Sequence, residues 1–121
     1  MSQNPINLAV RFALEIFALV ALGAWARAQF QGVFGLILMI LVPLLAAVAW
    51  GIFNVKGDPS RSGKAPVPVP GVVRLALELV IFVAASWALY TMNTTYGWIF
   101  GLVVLVHYIL SYDRILWLLK R

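Results

Sequence analysis

Four apolar stretches, each about 20 residues long and so each matched to a hydrocarbon core about 30 Å thick, take up nearly all of the 121 residues. Inside lipid a backbone N–H or C=O has no water to bond, so each stretch is expected to be a helix that satisfies its own hydrogen bonds. Composition agrees: 64% of residues are hydrophobic and 11% charged, with a mean hydropathy of +0.98. Soluble domains do not approach that mix. The chain reads as an integral membrane protein with no room for a soluble domain. With no cysteine it has no disulfide, thiolate metal site or thiol nucleophile.

The spans fall at about Leu8 to Ala28, Val33 to Phe53, Val72 to Met92 and Tyr96 to Leu119. Asn4 is placed to cap the first, with Pro5 at the first helical position, where its missing N–H costs nothing. Pro43 removes one hydrogen bond inside the second span and frees the carbonyl of Met39, which predicts a kink there. Only a few residues join spans 1 and 2, and Asn93-Thr94-Thr95 joins spans 3 and 4, so both pairs are antiparallel hairpins. Between the hairpins residues 54–70 read NVKGDPSRSGKAPVPVP. Gly, Ser and charge predict a flexible first half, and Pro66, Pro68 and Pro70 an extended second half.

The block Arg11-Phe12-Ala13-Leu14-Glu15 returns as Arg74-Leu75-Ala76-Leu77-Glu78, and each copy opens a hairpin. The simplest reading is a duplication, with one repeat over about 5–54 and the other over about 71–121. Each repeat crosses the membrane twice, so both copies enter in the same direction and are related by an axis along the membrane normal. The expected fold is an all-α membrane protein: four transmembrane helices, as two duplicated helical hairpins, forming a bundle with spans 1 and 3 adjacent. Span 2, which has no ionisable residue, is expected to lie nearest the lipid.

Charge placement sets the topology. Arg11, Lys56, Arg61, Lys64, Arg74, Arg114, Lys120 and Arg121 fall at the chain ends or around the central linker, leaving Arg27 alone on the other side. By the positive-inside rule both termini and the linker face the cytoplasm. The net charge of +5 thus follows topology and does not point to nucleic acid. Span 1 could also be read as a signal peptide ending at Ala26-Arg27-Ala28, but Glu15 within its apolar core and the recurrence of the pattern in span 3 argue against that.

Ionisable residues inside a span are costly and mark functional-site candidates. Arg11 and Glu15 are one helical turn apart, as are Arg74 and Glu78, and Asp113 and Arg114 stand at a similar depth in span 4. These six form an expected intramembrane polar layer whose charges cancel. Replacing either span arginine by Ala is then expected to harm folding more than the Glu→Gln change in the same repeat, because a buried carboxylate would be left unpaired. His107 near the midplane and Ser111 one turn on define a candidate proton path towards the layer. One His cannot supply a metal or haem ligand set, and no cofactor is expected.

The remaining signals have plain readings. Trp25, Tyr96 and Trp98 mark the outer interface and Trp50 and Trp117 the inner one. Asn93 is expected to cap span 3, and Gly97 and Gly101 share a spacing that allows close helix contact.

Arg11, Leu14, Glu15 and Gly23 in the first span, Pro43, Trp50 and Gly51 in the second, and Arg74, Leu77 and Glu78 in the third together resemble the YrdB-like family of small bacterial four-helix membrane proteins. The likeness covers nearly the whole chain and implies the topology but no substrate. Small multidrug-resistance exporters are also of this length and carry a span-1 glutamate. The paired arginine, the second Arg–Glu block and the strong charge bias depart from their pattern.

Three function classes follow, and an enzyme is not among them, since no nucleophile, metal set or cofactor motif is visible. The first is an inner-membrane protein of unassigned molecular function whose Arg/Glu layer is mainly architectural. The second is a small proton-coupled transporter or transporter subunit in which Glu15 or Glu78 titrates. The third is an accessory subunit of a larger membrane protein. The partners expected are the bilayer and either a second copy or a larger membrane protein, with no substrate identified.

Overall fold

The computed structural model of the chain describes residues 4–58 and 65–121. Helix α1 (Pro5–Gln29) starts at Asn4, whose side chain accepts a hydrogen bond from the Ile6 N–H at 2.9 Å. Helix α2 (Gly32–Ile52) follows a tight turn through Gly32, whose φ of 68° lies in the left-handed region that glycine enters without penalty. Beyond α2, β1 (Phe53–Asn54) pairs in parallel with β2 (Val67–Pro68), and the Val69 N–H donates to the Asn54 carbonyl at 3.0 Å. Helices α3 (Gly71–Met92), α4 (Thr94–Leu110) and α5 (Tyr112–Leu119) complete the chain.

Helices α1, α2 and α3 are each long and apolar enough to cross a membrane, and α4 and α5 together meet the same test as one span bent by 69°. A continuous helix from Tyr96 to Leu119 was expected. The break falls at Ser111, whose ψ of 30° leaves the helical range. Its hydroxyl accepts a 2.7 Å hydrogen bond from Asn7 Nδ2 of α1, and Asp113 in the first turn of α5 complements the new helix N-terminus. The bend carries α5 across the start of α3, so close that a Cβ on Gly71 would lie 1.7 Å from the Leu118 carbonyl oxygen.

Packing follows the order α2, α1, α3, α4. Helix α1 packs on α2 and α3, and α3 packs on α4 and α5, whereas α1 touches α4 only lightly. Helix α2 is outermost: 6% of its most apolar 18-residue window is buried, against 33% for α1 and for α3. Ala18 and Ala21 of α1 and Ala85 of α3 are almost fully buried, and small side chains there let the two central helices approach. Around them Leu14, Ile81, Phe82, Phe100, Val104 and Tyr108 form the core, while Phe12, Phe17, Val20, Val80 and Val83 stay exposed on outward faces. An apolar exterior of this kind is compatible with a lipid environment.

Three local expectations need correction. Trp50 is buried at 3% exposure against the Phe82 ring, where an exposed interfacial side chain is the expectation for a belt residue. Asn93 does end α3, but its side chain accepts from the Tyr96 N–H and so caps α4. The start of the linker is packed: Asn54, Val55 and Asp58 are buried, where a flexible segment was expected. Arg61 and Lys64, two of the residues used to orient the chain, lie outside the described residues.

Helix α2 runs as one helix through Pro43. The Met39 carbonyl that Pro43 cannot serve faces Gly23 of α1, where an added Cβ would come within 2.8 Å of that oxygen and 3.4 Å of Pro43 Cγ. The absence of a side chain at Gly23 is what lets the hairpin close around the proline. Gly23→Ala is therefore expected to lower thermal stability in detergent by roughly 1–3 kcal/mol through overpacking. Gly51→Ala, where a Cβ meets open space, should be neutral or mildly stabilising.

Candidate functional site

Glu78 lies on the face of α3 turned towards α1 and α5 and has no exposure to solvent. A buried carboxylate is tolerated only when its charge and lone pairs are matched. Both conditions are met from four directions. Arg74, one turn earlier on α3, donates through Nε to Oε2 at 3.0 Å, and Arg114 of α5 donates through Nη2 to the same oxygen at 2.6 Å. Arg11 of α1 donates through Nη2 to Oε1, and the Tyr108 hydroxyl of α4 donates to Oε1 at 3.0 Å.

Each arginine carries the network outward. Arg74 Nη1 donates to the carbonyls of Trp50 at 2.7 Å and Phe53 at 2.8 Å. A cation there satisfies carbonyls that the end of α2 leaves without helical partners. Arg114 Nη1 donates to both carboxylate oxygens of Asp58 at 2.7 Å, and Asp58 is fully buried. Arg11 Nε stands 3.2 Å from Glu15 Oε1. Three guanidinium groups thus meet three carboxylates, those of Glu15, Glu78 and Asp58, with no formal charge left over.

Of the six residues placed in the polar layer by sequence, Arg11, Glu15, Arg74, Glu78 and Arg114 come together here. Asp113 is half-buried on α5, and the acids that accept hydrogen bonds from Arg114 in this cluster are Glu78 and Asp58. The two repeat glutamates are also unequal, since Glu78 is sealed whereas Glu15 keeps 13% exposure. His107 is 3% exposed, and neither ring nitrogen has a hydrogen-bond partner among the described residues. Ser111 is bonded to Asn7 and not to His107, so the candidate proton path is not a connected hydrogen-bond chain.

Sequence reasoning missed Asp58, Tyr108, Asn7 and the two α2-end carbonyls. The charge balance of the layer needed a third acid, and Asp58 and Asp113 satisfied that count equally; only the fold of the linker chooses between them. Tyr108 carried a weaker signal, as a phenol that requires a partner when buried. Among the described residues no group of three or more His, Cys, Asp or Glu side chains is placed to hold a metal ion. What the arrangement does chemically is hold charge in place: it joins α1, α3, α4, α5 and the linker through one carboxylate.

This geometry sets the two repeat glutamates apart in their expected mutational cost. Glu78→Gln removes the charge that three arginines share and turns an amide donor towards guanidinium donors, with an expected loss of about 3–5 kcal/mol. Glu15→Gln, paired with Arg11 and partly exposed, should cost about 1 kcal/mol or less. Thermal unfolding of the purified variants in detergent checks this. Equal shifts for the two would contradict the central position of Glu78.

Comparison with known proteins adds kinship without an activity. Residues 9–105 match the family described as "Protein of unknown function (DUF2568)". The chain is 42% identical over 119 residues to the "Uncharacterized protein YrdB" of Bacillus subtilis (strain 168), an alignment covering 98% of this chain and 97% of that protein. No solved structure matches. The chain belongs to the DUF2568 family of proteins of unknown function, to which YrdB of Bacillus subtilis is similar across almost its full length.

Proposed function

We propose that this protein is a four-span component of the bacterial inner membrane, with both termini cytoplasmic, that acts as a scaffold or accessory subunit for a larger membrane partner. In this reading it neither moves ions nor catalyses a reaction. The observation that carries it is the closure of Glu78. A transported proton needs an acid that can lose its partner and meet water, whereas this carboxylate is fully buried beneath three arginines and a tyrosine. Buried polar contacts of that kind act as glue between membrane helices.

Two further features support the same reading. The strong Lys/Arg bias favours a single orientation, and the outward face of α2 offers a long apolar surface with little of its own chain against it. The two Arg–Glu blocks support an origin by duplication, after which the second copy became the centre of the network and the first its edge. Each block forms its own intrahelical ion pair, Arg11 with Glu15 and Arg74 with Glu78.

Reconstitution into liposomes tests the function. A proton gradient imposed across vesicles containing the protein should decay no faster than in empty vesicles, and Glu15→Gln and Glu78→Gln should leave that rate unchanged. A leak present in the parent protein and lost in either variant would establish the transporter reading instead. Orientation is tested separately by impermeant thiol labelling of Thr94→Cys and Lys120→Cys in intact cells. Thr94→Cys should label from outside and Lys120→Cys should not; labelling of both from outside would mean dual topology.

A further inference from the structure

Helix α4 does not need α5 to cross a membrane. Its 17 residues rise about 26 Å, at the short end of what spans a hydrocarbon core about 30 Å thick. Helix α5 turns away by 69°, so its eight residues advance only about 4 Å along the direction of α4. The Leu118 carbonyl then lies against Gly71, the first residue of α3, and Ser111 is bonded to Asn7 in the first turn of α1. These contacts set α5 at the level where α1 and α3 begin, which in a four-span chain is a boundary between membrane and water.

The two sides of α5 differ. Arg114 and Leu118, one turn apart, are buried against the bundle, whereas Tyr112, Leu116 and Leu119 form an exposed apolar stripe on the opposite side. Beyond the stripe Lys120 and Arg121 are exposed, and the Arg121 guanidinium sits 4.7 Å from the centroid of the Trp117 ring. Lys56, also exposed, stands two residues before Asp58, which Arg114 holds against α5. None of these three cations takes part in an ion pair among the described residues, while Asp58 and Glu78 are turned inward onto Arg114. Asp113, the one acid of α5, lies at the end away from Lys120 and Arg121. A positive edge therefore adjoins a bare apolar face.

We infer that α5 lies in the membrane interface and binds anionic phospholipid, with the lipid phosphate met by Lys120, Arg121 and Lys56 and the acyl chains covering Tyr112, Leu116 and Leu119. A helix lying in the interface buries its apolar face at the boundary of headgroups and acyl chains, and basic side chains beside it are drawn to anionic lipid. Trp117 suits the same depth, since an indole ring is at home among headgroups. A soluble anion would meet the cations but leave the stripe in water. Phosphatidylcholine would cover the stripe, but its own cation already offsets its phosphate. The inference rests on the four-span reading and not on the scaffold role, and the thiol labelling described above tests that reading independently of lipid binding.

The test is native mass spectrometry of the detergent-purified full chain titrated separately with phosphatidylglycerol, phosphatidylcholine and inorganic phosphate. Saturable binding of phosphatidylglycerol is expected, about tenfold tighter than that of phosphatidylcholine, with no retention of inorganic phosphate. Replacing Lys120 and Arg121 together by Gln should weaken phosphatidylglycerol about tenfold to thirtyfold and leave phosphatidylcholine unchanged. The pair Lys56→Gln and Lys120→Gln, which spares the stack of Arg121 on Trp117, should give a similar loss, and Arg27→Gln at the far end of α1 none. A nitroxide at Leu116→Cys in phosphatidylglycerol nanodiscs should collide with oxygen more than with a water-soluble nickel complex. Equal affinity for the two phospholipids, or unaltered phosphatidylglycerol binding in both double variants, would overturn the inference. So would inorganic phosphate binding as tightly as the lipid, or a nitroxide that is open to water or shielded from both reagents by a second protein surface.

Discussion

The architecture depends on a single carboxylate. Glu78 receives Arg11 from α1, Arg74 from its own helix, Arg114 from α5 and Tyr108 from α4, and it does so without solvent. In an apolar interior the attraction between these charges is strong, and the cost of leaving any one unmatched is stronger still. Such a cluster has two favourable states, assembled or absent, with little between. That property converts a set of individually interchangeable apolar helices into one arrangement, since Leu-rich surfaces in lipid have no hydrophobic drive to choose among partners.

Several irregular features become intelligible from this constraint. Were α4 to continue straight, Arg114 would follow the helix axis; the break at Ser111 instead turns α5 across the start of α3, where Arg114 reaches Glu78 and Asp58 together. Where the linker folds inward, both carboxylate oxygens of Asp58 accept from Arg114 Nη1, the nitrogen that Glu78 does not engage. The end of α2 is held by Arg74 through the Trp50 and Phe53 carbonyls, which draws Trp50 under the core and onto Phe82. The outermost helix is therefore attached by packing around Gly23 and by the carbonyls of Trp50 in its last turn and Phe53 just beyond it.

Much of this was legible in the sequence, and the boundary of what was legible is physical. Bilayer-length apolar runs, the Asn4 cap and the one-turn spacing of Arg11–Glu15 and Arg74–Glu78 are local signals, fixed by chain geometry before any tertiary contact. The placement of five of the six layer residues followed from them. Asp58 did not, because it belongs to a turn whose path is decided by Arg114, 56 positions away. The same holds for the bend at Ser111: the partners that go with it, Asn7 for Ser111 and Glu78 and Asp58 for Arg114, are distant in the chain, and no property of residues near Ser111 announces it. The inequality of Glu15 and Glu78 was invisible for a related reason, as two identical local blocks become different only through what packs around them.

The central claim is that Arg11 and Arg114, on different helices, act through Glu78. A triple-mutant cycle measures it: the coupling between Arg11→Ala and Arg114→Ala in equilibrium unfolding from mixed micelles, determined once with Glu78 present and once in the Glu78→Gln background. A coupling of about 1–3 kcal/mol is expected with the carboxylate and none without it. Strictly additive effects in both backgrounds, or a coupling that survives Glu78→Gln, would contradict it.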